Sequence, residues 1–513
     1  MSPKAIAIFV LVLGLFGLVA FKMFDEKSQS DDTLNTSDAQ HIKSTVKIGV
    51  DNWTGYYLLC SRHFRSSLRN EGILAQCEND NADLDTRFDK LRRGKLQFAV
   101  TTVDAYVALG KDYDFPGAIV AVIDESKGGD ALVANEDVIA SIDDLKNNPA
   151  LRIALTQDSP SEHLARSLAV HFDVSNLKRR GDWLVAADGS EDAAKKLQSG
   201  LVDAAVLWEP DVTKALQTSG IKKILGTEDT EKLIVDVLLV NRDLIKDDPD
   251  LVQSVIDLYF QTLQFYQQNP ENLVRELTKE TGLKSGAVQS MLKGVKWATL
   301  TDNAYDWFSI ASTGSNQEYL VESIDSALSI LQETGVMKDN PLPDANPYLL
   351  LQSSFVSSIF DTRIGSVDPS RLASSQSVSF PALSNAQWSQ LREIGTLKVR
   401  KIRFARSSSD LSMDAKRMLD EAARDLAHYP NYRILIKGHT GVTGDADANL
   451  TLSQDRADAV LRYLNIAHAT DENRLWAQGV GAAEPLPRQP NESNRSYRSR
   501  LPRVELILKA GQL

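Results

Sequence analysis

The sequence predicts a large α/β region followed by a compact α+β unit of βαβαβ order, both carried behind one N-terminal transmembrane helix. Three observations predict this: an apolar run at residues 5–21, a strand–turn–helix alternation that recurs from Thr45 onward, and closely spaced strand and helix periods from Leu397 to the end. A chain of 513 residues exceeds what one hydrophobic core serves, so about three units are expected. Hydrophobic residues make up 42% and charged residues 25%, which excludes a disordered chain. The net charge of −12, with no Lys/Arg run, excludes a field that would draw nucleic acid or anionic lipid.

The apolar run, continued by Met23 and Phe24, roughly matches a ~30 Å hydrocarbon layer at 1.5 Å per helical residue. It ends in Phe21, Lys22, Met23 and Phe24 rather than in small residues, so residues 1–24 are expected to be an uncleaved anchor and not a cleaved signal. No Cys follows the run, which leaves lipid attachment unsupported. Lys4 precedes the span and the bulk of the chain follows it, placing that bulk in the periplasm of a Gram-negative envelope with the anchor in the inner membrane. Residues 25–44 are polar and read as a tether. In that oxidising space Cys60 and Cys77 are candidates for one disulfide, with two buried free thiols as the alternative. Neither belongs to a CxxC pair or a His cluster, so no metal site is expected.

From residue 45 to 334 the alternation argues for parallel α/β layers. Strand patterns fall at Val46 to Val50, Ile73 to Cys77, Phe98 to Thr101, Ala118 to Ile123, Arg152 to Leu155 and Ala204 to Leu207; helical patterns fall at 251–267, 270–281, 285–293 and 317–332. Residues 335–394 are rich in Pro and Ser and are expected to connect, partly packed on a neighbour. In the last unit, 395–513, strands are predicted at Val399 to Phe404, Tyr432 to Ile436, 474–478 and 503–508. One helix is expected through Ala415 to Leu426 and a second through Arg456 to Leu464, with Thr451 and Gln454 spaced as a capping box.

That last unit carries a recognisable pattern. Gly438, His439, Thr440 and Gly441, then Gly444, Asn449, Leu452, Ser453, Arg456, Ala457, Val460, Tyr463 and Leu464, resemble the GHTDxxG and NxxLSxxRAxxVxxYL motifs of OmpA-like domains. Gly479, Gly481, Pro485, Arg503, Val504 and Glu505 match its downstream elements in order. The resemblance implies peptidoglycan as partner. The diaminopimelate of the stem peptide presents a carboxylate beside an ammonium, so its capture needs a cation beside an anion. Arg456 is the expected cation, gripping a carboxylate through two hydrogen bonds, and Asn449 the expected loop former. The family's Asp after GHT is Gly441 here, and its NRRVE reads Leu501, Pro502, Arg503, Val504 and Glu505. Asp445 or Asp447 is then the expected anion. The expected wall-binding set is Thr440, Asp445, Asn449, Arg456 and Arg503.

Residues 45–334 resemble type II periplasmic solute-binding proteins of the nitrate, sulfonate, taurine and thiamine-precursor kind. The likeness rests on Ile48 to Tyr56, the FAVTTVDA turn at Phe98, the DSPSEHL turn at Asp158 and the VLWEP turn at Val206. It implies the two-lobed α/β periplasmic-binding-protein fold, with a hinge cleft that closes on a ligand at helix N-termini. The expected ligand-binding residues are Trp53, Thr54, Gly55, Tyr56, Tyr57, Thr102, Asp104, Ser159, Ser161, Trp208 and Glu209. Asp124, Glu125, Asp130 and Glu162 lie near the same turns, and no Arg or Lys does. Aromatic and acidic lining points to a nitrogenous or heteroaromatic solute rather than a small oxyanion. An ABC permease is the implied recipient.

No GxSxG elbow, P-loop or HExxH occurs, and His163 and His171 on one helix read as structural, so neither an enzyme nor a cofactor is expected. The competing reading is a cell-wall anchor or stator-like assembly subunit in which the two-lobed part is scaffold. A stator needs an ionisable residue within the span, and residues 5–21 contain none.

Overall fold

A computed structural model describes residues 42–510, apart from 147, 149, 311–317, 364–379, 399–401, 403 and 405–407. The expected anchor and most of the tether lie outside the described residues. Among the described residues no helix is long and apolar enough to cross a membrane.

The chain begins with β1 (Ser44–Val50), β2 (Ile73–Asn79), β3 (Phe98–Thr102) and β4 (Gly117–Ser126). It crosses to β5 (Asp130–Asn135), β6 (Ile153–Leu155), β7 (Leu184–Ala186), β8 (Ala204–Trp208) and β9 (Ile221–Gly226), then returns as β10 (Val235–Asn241) and β11 (Val295–Trp297). One sheet has the order β11-β4-β10-β3-β1-β2 and the other β7-β6-β8-β5-β9, so two lobes are joined by two crossings. The crossings lie side by side: Ser126 Oγ is 2.7 Å from Thr227 Oγ1, which also accepts the Gly128 N–H at 2.9 Å. This is a periplasmic-binding-protein-like fold.

The sheets are mixed, not parallel throughout as expected. β10 runs antiparallel to β3 and β4, and β5 antiparallel to β8 and β9. Each of these strands enters its sheet from the hinge, the end at which its neighbours leave. β4 and β10 are buried along their whole length, Asp124 and Glu125 of β4 and Asp236 of β10 included.

The last unit is a four-stranded sheet, β12 (Arg392–Thr396), β13 (Arg433–His439), β14 (Leu475–Gly479) and β15 (Arg503–Ala510), in the order β12-β15-β13-β14. The opening strand is Arg392–Thr396, not the Val399 to Phe404 segment; Phe404 makes only an isolated bridge with Leu411, and Val399 lies outside the described residues. Helices Met413–Ala427 and Ala446–His468 cover the sheet. The second helix begins a turn and a half before the expected capping box. Asp445 caps it by accepting the Ala448 N–H at 2.9 Å, while Thr451 lies inside the helix and donates to the Asp447 carbonyl.

The Pro-rich connection is partly packed. Leu351 bridges Ile119, and Phe355, Val356 and Ile359 of helix Ser354–Arg363 join the core of the first lobe. Further on, Phe380 and Trp388 sit under the Arg433 guanidinium at 5.2 and 5.4 Å. The OmpA-like unit docks at the hinge side: Phe172, Ile330, Leu397 and Tyr429 share one core, the Lys398 N–H donates to the His171 carbonyl at 2.6 Å, and the Glu231 N–H donates to the His428 carbonyl at 2.9 Å.

Candidate functional site

Between the lobes lies a cleft lined by Asp51, Trp53, Tyr56, Arg87, Thr102, Asp130, Ser159, Trp208 and Asp236, among others. The turns that end β1 and β3 approach from one lobe, and those that end β6 and β8 from the other. Thr54 Oγ1 spans the gap and donates to the Glu209 carbonyl at 3.4 Å. Ser159 caps helix Pro160–His171, whose N-terminus faces the cleft with Pro160 at its first position. Gly55 is required by close approach: a Cβ there would lie 2.0 Å from Asp124 Oδ2 and 2.3 Å from Trp53 Nε1.

The polar bookkeeping around this cleft is incomplete. Thr102 Oγ1, Asp104 Oδ1, Thr156 Oγ1, Ser161 Oγ, His163 Nδ1 and Trp208 Nε1 are buried without a hydrogen-bond partner. Buried polar atoms are nearly always partnered, because an unmade bond costs about 1–3 kcal/mol. Thr102 and Trp208 line the cleft itself, and the other four lie on the strand ends and helix starts around it.

Its electrostatics are acidic. Trp53 Nε1 donates to Asp124 at 3.2 Å, and Tyr56 donates to Asp236. Asp124 and Asp236 are registered neighbours on β4 and β10. Burial pushes the Asp124 carboxyl up to about 8, against hydrogen bonds from Trp53 and with Asp236 that favour its ionised form, while burial and then the Asp124 charge hold Asp236 well above the usual carboxylate range. Burial, with Asp104 and Glu209 nearby, pushes Asp130 up to about 7. Arg87 is fully buried in the cleft wall and is held by Asp51 Oδ2 at 3.0 Å, by Asp80 and by the Val100 carbonyl at 2.8 Å.

Most of the expected set converges here: Trp53, Tyr56, Thr102, Ser159 and Trp208 line the cleft, with Thr54, Gly55, Asp104, Ser161 and Glu209 in the turns around it. Glu209 is turned inward on Thr213, receiving its N–H at 3.0 Å and its hydroxyl at 2.7 Å. Tyr57 does not join them. Its hydroxyl donates to Glu276 at 2.7 Å in the outer helix layer, because adjacent helical residues point about 100° apart. Glu162 is internal too, bonded to Arg166 and Arg180 at 2.6 Å. The absence of basic residues from the turns did not make the cleft free of cations: Arg87 enters from mid-helix Leu84–Arg92, where nothing in the local pattern marks it. Asp51 and Asp236 were likewise missed. Cys60 and Cys77 form a disulfide with 6.0 Å between Cα atoms, joining the first lobe's opening helical turn to β2.

In the OmpA-like unit, glycine lets helix Ala446–His468 rest directly on the sheet. A Cβ on Gly438 would lie 2.1 Å from the Ser453 carbonyl oxygen, and one on Gly479 would lie 2.4 Å from Gln454 N. Gln454 then bonds β14 through the Gly479 N–H at 2.7 Å. Arg456 is buried, with Nε donating to the Ser408 carbonyl at 3.1 Å and its guanidinium 5.0 Å from the Phe404 ring. Thr440 is buried beside Gly441, around which a Cβ would meet nothing within 4 Å. Asn449 donates to the Thr443 carbonyl at 3.2 Å and shapes the loop. Asp445 is occupied as the helix cap and lies eleven residues from Arg456, about 16 Å along the axis. Arg503 is bound to Glu505 at 2.6 Å. Burial opposes ionisation of Glu505, yet the bonds from His439 and Arg503 outweigh it and hold that carboxyl down to about 2.

The OmpA family profile matches residues 403–499. Among similar proteins are the probable lipoprotein YiaD of Escherichia coli, 34% identical over 107 residues, 21% of this chain and 47% of that protein. The peptidoglycan-associated lipoprotein of Rhizobium meliloti is 36% identical over 86 residues, 17% and 48% of the two chains. That of Pseudomonas aeruginosa is 35% identical over 138 residues, 27% of this chain and 77% of that protein. The chain spans about half the length of the first two relatives. Among solved structures, it is similar to a putative periplasmic sulfonate-binding protein SsuA from Methylobacillus flagellatus, at TM-score 0.46 and 17% identity over 63% of this chain and 95% of that one. It is also similar to the aliphatic sulphonate binding protein SsuA from Escherichia coli, at TM-score 0.45 and 16% identity over 58% and 94%. Through its C-terminal unit, therefore, this chain belongs to the OmpA family.

Proposed function

We propose that the protein is a non-enzymatic envelope component that captures a small nitrogen-bearing solute between its lobes and holds the diaminopimelate stem peptide of peptidoglycan with its OmpA-like domain. In this reading residues 1–24 anchor it in the inner membrane, 25–44 are the tether, 45–334 form the solute-binding part, 335–394 connect, and 395–513 bind the wall. An ABC-type permease receives the solute. The observation that carries the solute reading is the set of six unpartnered buried polar atoms at and around one interlobe cleft, two of them on residues that line it. The wall reading is supported by family membership and by the lipoproteins named peptidoglycan-associated. Arg456, steadied by Phe404 and Ser408, takes the carboxylate; Thr440, Asp445, Asn449 and Arg503 build its surroundings.

Two assays on the full-length protein test this. Native mass spectrometry of protein purified from envelopes should show a small adduct, lost on denaturation and refolding. Sedimentation with purified sacculi should retain the protein, and Arg456→Ala should lower that retention roughly tenfold by removing a charge-assisted bidentate contact. Adduct-free protein that ignores sacculi would reject both halves.

A further inference from the structure

The cleft's charge identifies its ligand more closely, on the footing that the two-lobed part does bind a solute. Asp104, Asp124, Asp130, Glu209 and Asp236 are each at most 5% exposed; Asp130 and Asp236 line the cleft together with Asp51, and the other three lie in the strands and turns around it. Against them stands Arg87, whose guanidinium is already shared between Asp51 and Asp80. Among the described residues no other Lys or Arg lines the cleft. Burying so many carboxylates is costly unless protons or a cation offset their charge. Two indole rings, Trp53 and Trp208, form part of the wall, and an indole face attracts a cation.

The remaining unpartnered atoms describe the ligand's other end. Trp208 Nε1 can only donate, and Thr102 Oγ1 and Ser161 Oγ can also donate, so the ligand brings an acceptor oxygen. The N-terminus of helix Pro160–His171, carrying Ser159 and Ser161, favours that oxygen on its side of the cleft. Asp104 Oδ1, unpartnered and on the opposing lobe, can accept but, as a carboxylate, cannot donate, and so calls for a donor.

We infer that the cleft selects a small organic cation, an ammonium group caged by Asp104, Asp130 and Asp236 and walled by Trp53 and Trp208, that carries a hydroxyl or carbonyl oxygen toward Ser161 and Trp208. Anionic sulfonates are excluded by the same carboxylates.

The test is a matched series on the full-length protein: ethanolamine, its neutral counterpart ethylene glycol and its anionic counterpart isethionate, with choline as a permanently charged probe. Titration calorimetry and thermal shift should register ethanolamine or choline and neither of the others. Asp104→Asn and Asp130→Asn should each weaken the cation roughly tenfold or more, as loss of a buried charge partner does, without changing sacculus retention. Binding of isethionate or ethylene glycol in place of the cations would overturn the cation assignment and leave solute binding standing. Silence toward all four probes, in protein shown to be adduct-free, would overturn solute binding itself.

Discussion

The interlobe cleft and the wall-binding loop treat their polar groups in opposite ways. Around the cleft Thr102, Asp104, Thr156, Ser161, His163 and Trp208 keep atoms without partners. In the loop Asp445 caps a helix, Asn449 holds a carbonyl, Arg503 is bound to Glu505, and Arg456 leans on Phe404 and Ser408. Under the proposed reading the cleft stores its binding capacity as unmet hydrogen bonds and compressed charge, which cost stability until a ligand arrives. In the loop only His439 Nδ1 is buried without a partner among the described residues, and the proposed reading asks only the Arg456 guanidinium to meet the wall. The first design makes ligand and fold energetically coupled; the second lets the wall be bound with little change in stability.

That contrast can be broken from either side. The largest expected effect comes from the disulfide, which lies in the first lobe alone: replacing Cys60 and Cys77 by Ala should cost about 3 kcal/mol, the chain-entropy figure for a loop of this length. Chemical denaturation should show the loss in the two-lobed part while sacculus sedimentation is unchanged. Gly55→Ala comes next. Its methyl would press on Asp124 and Trp53, at a cost of about 1–3 kcal/mol, and should abolish solute binding while wall retention persists. If retention fell in parallel with solute binding, the two sites would not be the independent devices described.

The smallest effect is a pH dependence. Asp124 has an ordinary value of 3.8 and is pushed up to about 8 in the fold, so it stabilises the protonated folded state below about pH 4 and that contribution is lost as pH rises through about 8. Asp130, pushed to about 7, acts in the same direction. His163, His171 and His428 are lowered chiefly by burial, so acidification below their ordinary 6.5 works against the fold. The window from pH 6.5 to 8.5 therefore isolates the carboxylates. The melting temperature should fall across it by about 2–4 °C more in the wild type than in Asp124→Asn. A saturating ligand cation should shrink that difference, because it replaces the proton.

Sequence reasoning found the elements whose burial is one-sided and periodic, and also β3, β4, β6 and β8, short apolar runs bounded by turn residues and buried on both faces. Val46, Ile48 and Val50 alternate along β1, and Ala415, Leu419, Ala422 and Leu426 line one helical face. β10 escaped: Val235–Asn241 is buried on both faces and has no period, and Asp236 and Asn241 interrupt its apolar run. β12 escaped because Arg392, Glu393 and Gly395 look like a turn, and only pairing with β15 makes them a strand. At the site, turn residues were legible because strand ends gather at one sheet edge. Arg87 and Asp236 were not: one sits inside a helix, the other inside a buried strand, and both reach the cleft through tertiary packing. Tyr57 shows the converse, a residue one step from Tyr56 that helical geometry turns away. In the wall-binding loop the motif was legible, while the occupation of Asp445 as a cap needed the helix start.

The central claim is that the interlobe cleft exists to be filled. Native mass spectrometry of full-length protein and of Gly55→Ala, purified side by side from the same envelopes, addresses it most directly. A small adduct on the wild type that is missing from the variant is the predicted result; identical, adduct-free masses for both, unaltered by ethanolamine or isethionate at saturating concentration, would contradict it.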